Sequence, residues 1–237
     1  MNKERAVKII KELKDIVGSY RSQFYIFDGD ISIPMKILNY PEDYRKILDN
    51  KDKIFVLKGS HFLILDDEEA INIIIKGNYL RIFLLIDRPL RIECFKKIFD
   101  LIPDEHKYDL FNYVYTDGEF GFKQWSANII NKIKKYVPTE FKQKLKSKVD
   151  SSGYLTIYRG CASKSTPVEK AFSWTLDYNK AMFFSKRFCH GNEYNYPGSI
   201  YKGQIRLEKI IDYITERDED EVIALYKDIK ILEMQTV

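Results

Sequence analysis

The sequence has few of the residues from which metal sites and disulfide frameworks are built. Its 237 residues include three cysteines and three histidines, and both sets are scattered along the chain. An odd number of cysteines without CxxC spacing favours a reducing compartment over a disulfide-stabilised extracellular protein. No metal site can be assembled from histidines or cysteines that are neighbours in sequence. We therefore expect neither a disulfide framework nor a bound metal.

Long apolar segments are also missing. The most apolar stretch, residues 80–86, is interrupted by Arg81 and is far too short to span a bilayer. The N-terminal residues are charged and amphipathic, and they lack the apolar core of a signal peptide. These two absences predict a cytoplasmic protein with no membrane partner.

Aromatic and apolar residues are plentiful. Hydrophobic residues make up 45%, aromatic residues 14% and charged residues 31% of the chain, as in ordinary globular proteins. The net charge of +4 is too small to indicate a partner, but the lysines are unevenly distributed. Eight of them lie between Lys123 and Asp150, against two acidic residues. Such a run is usually a solvated helix face, and it is also suited to contact nucleic-acid phosphates.

The first 150 residues predict a mostly helical region that serves target recognition, partner recognition or regulation. Apolar residues at helical spacing indicate a helix over residues 3–17. Residues 24–65 alternate β-branched and aromatic runs with turn signals, which predicts a short strand-containing segment, a small sheet. The acidic residues 66–69 mark the start of a helical series. Helices are predicted over residues 70–76, 79–86, 89–102, 105–115, 126–136 and 140–148.

The polar loop at residues 149–153 is the predicted domain boundary, which gives regions 1–150 and 151–237. Alternating and short bounded apolar runs predict that the second region is dominated by strands. One helix, with Asp177 as its N-cap, interrupts them over residues 178–189. The predicted fold class is α+β. Strands are predicted over residues 154–158, 171–175, 199–207, 221–226 and 229–234.

Two motifs in the second region carry groups that suit a phosphorylated ligand. Arg159 ends a predicted strand, and Gly160 after it allows the backbone to approach a ligand closely. The planar guanidinium fork matches a pyrophosphate or a carboxylate. Ser173 and Thr175 share one face of a short strand, where their hydroxyls can bind a ligand and orient a carboxylate. Each motif alone is more often an ordinary structural feature.

A third motif supplies carboxylates. Glu219, Asp220 and Glu221 end an acidic run that passes directly into an apolar strand. A carboxylate at the start of a buried strand is partly desolvated and rigidly held, which suits a catalytic position. Glu219 and Glu221 would share a face if the strand began by residue 219. Acidic runs are usually solvated loops, so the order of all three motifs within about eighty residues is the informative feature.

That combination resembles the mono-ADP-ribosyltransferase family, in the Arg-Ser-Glu branch that includes cholera-like and C3-like toxins and arginine-specific ectoenzymes. It also looks like a group of bacterial and prophage-encoded proteins of that fold, which share the Ser-Trp-Thr-Leu-Asp run present here at residues 173–177. A weaker resemblance extends upstream to residues 86–89 and 115–119. The resemblance implies a C-terminal split β-sheet catalytic module with NAD⁺ as co-substrate and no metal.

The resemblance also implies roles for individual residues. Arg159 would hold an NAD⁺ phosphate with help from the backbone at Gly160. Ser173 would bind the nicotinamide ribose and orient the catalytic glutamate, and Thr175 would support the strand. Glu221 would bind the ribose 2′-hydroxyl and stabilise an oxocarbenium-like transition state, as a glycosidase carboxylate does.

Glu219 matches the position that engages the acceptor in arginine-modifying relatives. Phe183 and Phe184 on the intervening helix would form an aromatic wall for the nicotinamide, or alternatively belong to the core.

The implied function is transfer of ADP-ribose from NAD⁺ to a macromolecule, by a bacterial or phage-encoded toxin or defence effector that an antitoxin could neutralise. Glu219 favours a protein arginine as acceptor, whereas the lysine-rich segment favours a nucleic acid. Two alternatives remain open: an NAD⁺ glycohydrolase, and a non-catalytic protein- or nucleic-acid-binding module with a transferase-like fold.

Overall fold

The computed structural model describes residues 1–19, 23–28, 31–36, 54–58, 61–118, 122–162, 165–186, 198–215 and 219–237. These residues form α-helices and antiparallel strands in two units, 1–124 and 125–237. The mixed α+β class predicted from the sequence is confirmed.

The first unit contains helices and a small antiparallel sheet of strand order β2-β1-β3. The helices predicted upstream of residue 116 and the sheet predicted within residues 24–65 are confirmed. Its helices are α1 (Lys3–Ser19), α2 (Asp67–Ile75), α3 (Tyr79–Leu85), α4 (Arg88–Ile98) and α5 (Asp104–Thr116). Its strands are β1 (Gln23–Asp28), β2 (Ile31–Lys36) and β3 (Ile54–Lys58).

Capping residues and apolar faces determine where the helices of this unit form. The Asp66 side chain accepts a hydrogen bond from the amide of Glu69 at 3.1 Å, which caps the start of α2. The apolar face of α1 packs against α2 and α4. Aromatic rings fill the centre, where the Phe95 centroid lies 5.5 Å from Phe99 and 6.2 Å from Phe111.

The second unit is built on an antiparallel sheet of six described strands, in the order β7-β8-β5-β4-β6-β9. Its helices are α6 (Ala127–Ile133), α7 (Phe141–Lys146) and α8 (Tyr178–Lys186). Its strands are β4 (Tyr154–Cys161), β5 (Ser173–Thr175), β6 (Ser199–Arg206), β7 (Asp212–Ile214), β8 (Glu221–Ile223) and β9 (Lys230–Thr236).

This sheet consists of two three-stranded halves. Strand β4 pairs with β6 along its whole length, from Tyr154–Arg206 to Cys161–Ser199. It pairs with β5 at a single position, Tyr158 opposite Thr175. The three short strands β5, β7 and β8 therefore form one half, which meets the longer strands β4, β6 and β9 at that junction.

The division between the units lies after Gln124, not at the predicted boundary after residue 150. The lysine-rich helices α6 and α7 belong to the second unit, and α7 packs against β7. Their apolar residues Ile130, Ile133 and Leu145 are fully buried. The predicted boundary is wrong because it was placed where helices give way to strands, at residue 150. The second unit begins earlier, since it includes α6 and α7.

Strand β7 was not predicted. It is three residues long and begins with Asp212, a residue type that is depleted in strands, so its pattern gave no strand signal. All five strands predicted for this unit are present, with shifted ends. The last residues of the helix predicted over 178–189 lie outside the described residues.

Candidate functional site

The structure brings the three predicted motifs together at the junction between the two halves of the sheet. Strand β5 pairs antiparallel with β8, with Ser173 opposite Ile223 and Thr175 opposite Glu221. Tyr158, the residue before Arg159, pairs with Thr175 from the other side. Strand β5, which carries Ser173 and Thr175, thus lies between β4, which carries Arg159, and β8, which begins with Glu221.

Arg159 bridges this junction through its guanidinium group. One terminal nitrogen donates to the carbonyl oxygen of Ser173 at 2.6 Å, and the other donates to the carbonyl oxygen of Thr166 at 3.4 Å. The Nε atom is buried and has no hydrogen-bond partner among the described residues. A guanidinium carries five N–H donors, and a buried donor without a partner is costly. Arg159 is therefore held in place by two backbone carbonyl oxygens.

Thr175 connects strand β5 to the acidic motif. Its hydroxyl donates to the carbonyl oxygen of Glu219 at 2.6 Å and accepts from the amide of Asp177 at 3.1 Å. The side chain is buried, so its contacts are with the backbone of the turn. Ser173, on the same face of the strand, is partly exposed.

The acidic motif does not have the extended geometry that would place Glu219 and Glu221 on one face. Strand β8 begins at Glu221, and Asp220 before it adopts a left-handed conformation with φ of 46°. Glu221 is 4% exposed, whereas Glu219 is partly exposed. The two glutamates therefore occupy different environments, one within the sheet and one at its margin.

Asp220, which has no role in the predicted site, forms a polar cluster with Lys148 and Tyr213. Its carboxylate accepts hydrogen bonds from the hydroxyl of Tyr213 and, at 3.4 Å, from Nζ of Lys148. Lys148 also donates to the Tyr213 hydroxyl at 3.1 Å. The Tyr213 hydrogen bond is the main reason that the pKa of Asp220 is lowered, so this carboxyl is ionised at neutral pH.

A cavity of about 320 Å³ opens beside this cluster. It includes Asp220 from the acidic motif but not Arg159, Ser173 or Glu221. The cavity therefore lies on the Asp220 side of the turn. Its lining residues are Lys148, Val149, Asp150, Tyr154, Thr156, Leu176 and Asp220.

Gly160 has a packing role that the sequence did not predict. A Cβ atom there would lie 1.9 Å from the carbonyl oxygen of Ala181 and 2.6 Å from the amide nitrogen of Ser185. Glycine is thus required for α8 to lie against β4 next to Arg159. On the same helix, Phe183 is 60% exposed and packs edge-to-face on Phe184, so Phe183 is not a core residue.

The upstream segments that carry the weaker resemblance are joined to each other inside the first unit. Arg88 Nε lies 3.3 Å from the carboxylate of Asp117. The buried Arg91 contacts the same carboxylate and donates to the Tyr113 hydroxyl at 2.8 Å and to the Ile86 carbonyl at 2.8 Å. These contacts fasten α4 to α5 and to the end of α3. Residue 119 lies outside the described residues.

Other chemistries find less support among the described residues. Burial raises the pKa of both described thiols, Cys94 and Cys161, so neither is a reactive thiolate at neutral pH. In the described part of the chain, no three His, Cys, Asp or Glu side chains are placed to hold a metal ion. No helix within it has the length and apolar character needed to cross a membrane.

The junction thus brings together an anchored guanidinium, a partly exposed serine and a buried carboxylate. Such a set can bind an anionic ligand and stabilise positive charge that develops beside the carboxylate. Comparisons with protein-family models, with curated proteins and with solved structures found no match to this chain.

Proposed function

We propose that this chain is an NAD⁺-dependent mono-ADP-ribosyltransferase. The observation that carries the proposal is the pairing of Thr175 with Glu221, beside an Arg159 that is bonded to the Ser173 carbonyl. Three motifs that are separated in sequence meet in one place. The proposed reaction needs a cation for a pyrophosphate, a hydroxyl for a ribose and a carboxylate beside the reacting carbon.

The residues at the junction fit NAD⁺. The buried Nε of Arg159, which has no partner among the described residues, is suited to a phosphate oxygen. The partly exposed Ser173 can bind the ribose and orient it towards Glu221. When bound, NAD⁺ supplies an electrophilic ribose carbon that is attached to an already cationic leaving group. Departure of nicotinamide therefore needs little acid catalysis.

In the proposed step the bond between the nicotinamide nitrogen and the ribose carbon breaks, and its electron pair moves to the nitrogen. Glu221 stabilises the positive charge that develops on the ribose, and its burial strengthens this interaction because water is excluded. The nucleophilic atom of the acceptor then bonds to the same carbon. Glu219, at the margin of the sheet, takes the proton that the acceptor loses.

The acceptor is a protein arginine or a nucleic acid, and one observation favours the nucleic acid. Helices α6 and α7 lie in the same unit as the sheet, so their lysines accompany the proposed site. Lysines on one unit with the site can hold a polyanion near it. The exposed lysines between residues 125 and 150 are Lys134, Lys135, Lys144, Lys146 and Lys148.

The test is incubation of the protein with labelled NAD⁺ and a cell lysate, followed by nuclease or protease treatment. Loss of label with nuclease identifies a nucleic-acid acceptor, and loss with protease identifies a protein. Free ADP-ribose without incorporation identifies a glycohydrolase. Glu221→Gln should lower nicotinamide release by at least about 10²-fold, since it removes the charge that stabilises the transition state.

Glu208→Gln is the matched control, because Glu208 lies in the same unit and its side chain is 61% exposed. It should leave the rate unchanged. Glu219→Gln should chiefly reduce transfer and spare hydrolysis; equal loss of both activities would remove its acceptor role. A wild-type protein that neither binds nor consumes NAD⁺ would show the proposed function to be wrong.

A further inference from the structure

The backbone of the acidic turn is fixed at three successive residues. The Glu219 carbonyl oxygen accepts from the Thr175 hydroxyl at 2.6 Å, and the Asp220 carbonyl oxygen accepts from the Leu176 amide at 3.1 Å. Glu221 is paired with Thr175 in the sheet. Strand β5 and the residue that follows it therefore hold one side of the turn.

The other side of the turn is held by the Asp220 side chain. Tyr213 donates to its carboxylate from β7, and Lys148 donates from the segment that follows α7. Lys148 also lies over the Tyr213 ring, with Nζ 5.5 Å from the ring centroid. Two side chains, one of them 72 residues away in sequence, thus converge on one carboxylate, and each pair in the cluster is in contact.

This side-chain cluster coincides with an unusual backbone conformation. Asp220 has a φ of 46°, and in the described residues the other positive φ values occur at glycines. Aspartate adopts the left-handed conformation more readily than most residues with a Cβ, and here contacts from β7 and from Lys148 hold its side chain. The conformation also separates the two glutamates, because β8 begins after the left-handed residue, so Glu221 lies in the sheet and Glu219 lies outside it.

We infer that Lys148, Tyr213 and Asp220 form a positioning cluster that holds Glu219 and Glu221 in their working geometry. The inference rests on the proposed function for the roles of the two glutamates. We assign none of the three residues a contact with the reacting atoms. They act through the turn, since a displacement of about 1 Å in a reacting group can reduce a rate by about 10²-fold. Lys148 and Asp220 also line the cavity beside the turn, so the cluster is open to solvent.

The variants Asp220→Asn, Tyr213→Phe and Lys148→Met test the inference through steady-state NAD⁺ hydrolysis. Each should lower kcat by about tenfold or more and change the KM for NAD⁺ by less than about twofold, because Arg159 and Ser173 are untouched. Lys148→Arg should restore most of the rate. The double variant Tyr213→Phe with Asp220→Asn should lower kcat by a smaller factor than the product of the two single-variant factors. The reason is that both substitutions weaken the same hydrogen bond.

Two matched variants control for the loss of a charge. Asp228→Asn removes a carboxylate that pairs with Lys209 at 3.6 Å in the same unit. Lys227→Met removes an exposed lysine of the same unit. Both should keep the wild-type kcat. Folded cluster variants with wild-type kcat would overturn the inference, and so would a loss that appears equally in the two controls.

The outcome is distinguishable from failure of the proposed function. If the wild-type protein releases no nicotinamide, the proposed function fails, and amide hydrogen exchange then decides whether the cluster holds the turn. The peptide that contains residues 219–223 should exchange at least about tenfold faster in the cluster variants than in wild type and both controls. Unchanged exchange in that peptide would overturn the inference.

Discussion

Two clusters, one in each unit, are built from the same three kinds of side chain: a cation, a tyrosine and an aspartate. In the first unit, Arg91 donates to Tyr113 at 2.8 Å and pairs with Asp117. In the second, Lys148 donates to Tyr213 at 3.1 Å and pairs with Asp220. The cation lies over the tyrosine ring in both, at 5.4 Å and 5.5 Å from the centroid.

The clusters differ in burial and in what else the cation holds. The side chain of Arg91 is 10% exposed and also donates to the carbonyl oxygens of Ile86 and Leu84, whereas that of Lys148 is 41% exposed. A buried cation with several backbone partners is strongly destabilising to remove, while an exposed pair contributes little stability. The same three groups thus stabilise helix packing in one unit and, by our inference, position a turn in the other.

The largest expected effect on stability is at Arg91. Arg91→Met should lower the free energy of unfolding by about 3 kcal/mol or more, because it leaves buried carbonyl groups without a donor. Denaturant unfolding at neutral pH measures this loss. Arg88→Met is the control: its side chain is 50% exposed and pairs with the same Asp117, so it should cost less than about 1 kcal/mol. Equal costs at the two positions would remove the difference between the clusters.

A much smaller effect is expected at Lys148. Lys148→Met should change the free energy of unfolding by less than about 1 kcal/mol, because both partners of the pair are exposed and screened. The measurement is the same denaturant titration, with Lys146→Met alongside. A loss at Lys148 as large as that at Arg91 would mean that the second cluster is a stability element, and the contrast with the first unit would not hold.

The smallest expected effect is a dependence on pH. The hydrogen bond from Tyr213, with further help from Lys148, holds the pKa of Asp220 below its ordinary value of about 3.9. A lowered folded-state pKa contributes stability that is present above about pH 4 and is lost as pH falls through the folded pKa. The difference in unfolding free energy between wild type and Asp220→Asn should therefore shrink from pH 7 to pH 3. A difference that grows in acid would contradict this assignment.

Helices of the first unit could be predicted because their apolar spacing and caps involve residues that are close in sequence. Helix α1 follows from apolar spacing, and α2 follows from the acidic cap at Asp66, which the structure shows bonded to the Glu69 amide. Strand β7 was missed because three residues that begin with an aspartate give no period to detect. The boundary at Gln124 was missed because burial of α6 and α7 depends on which core they join.

Motif order predicts that Arg159, Ser173 and Glu221 lie near one another, and strand pairing brings their strands together. Their role in a site stays a prediction, and the geometry of the acidic turn could not be predicted. The sequence could not show that Asp220 is left-handed, since an aspartate also adopts the common extended and helical conformations. Nothing in the sequence distinguishes Lys148 from the other lysines of its segment, because its contact with Asp220 joins residues 72 positions apart.

The anchoring of Arg159 has a consequence for ligand affinity. A long side chain that becomes ordered on binding loses rotational freedom, which opposes association by about 0.5–1.5 kcal/mol. Arg159 is already ordered, because the carbonyl oxygens of Ser173 and Thr166 fix its guanidinium before a ligand arrives. An anion that binds to its remaining donors therefore meets a side chain whose entropy has been lost during folding, so more of the electrostatic attraction is retained as affinity.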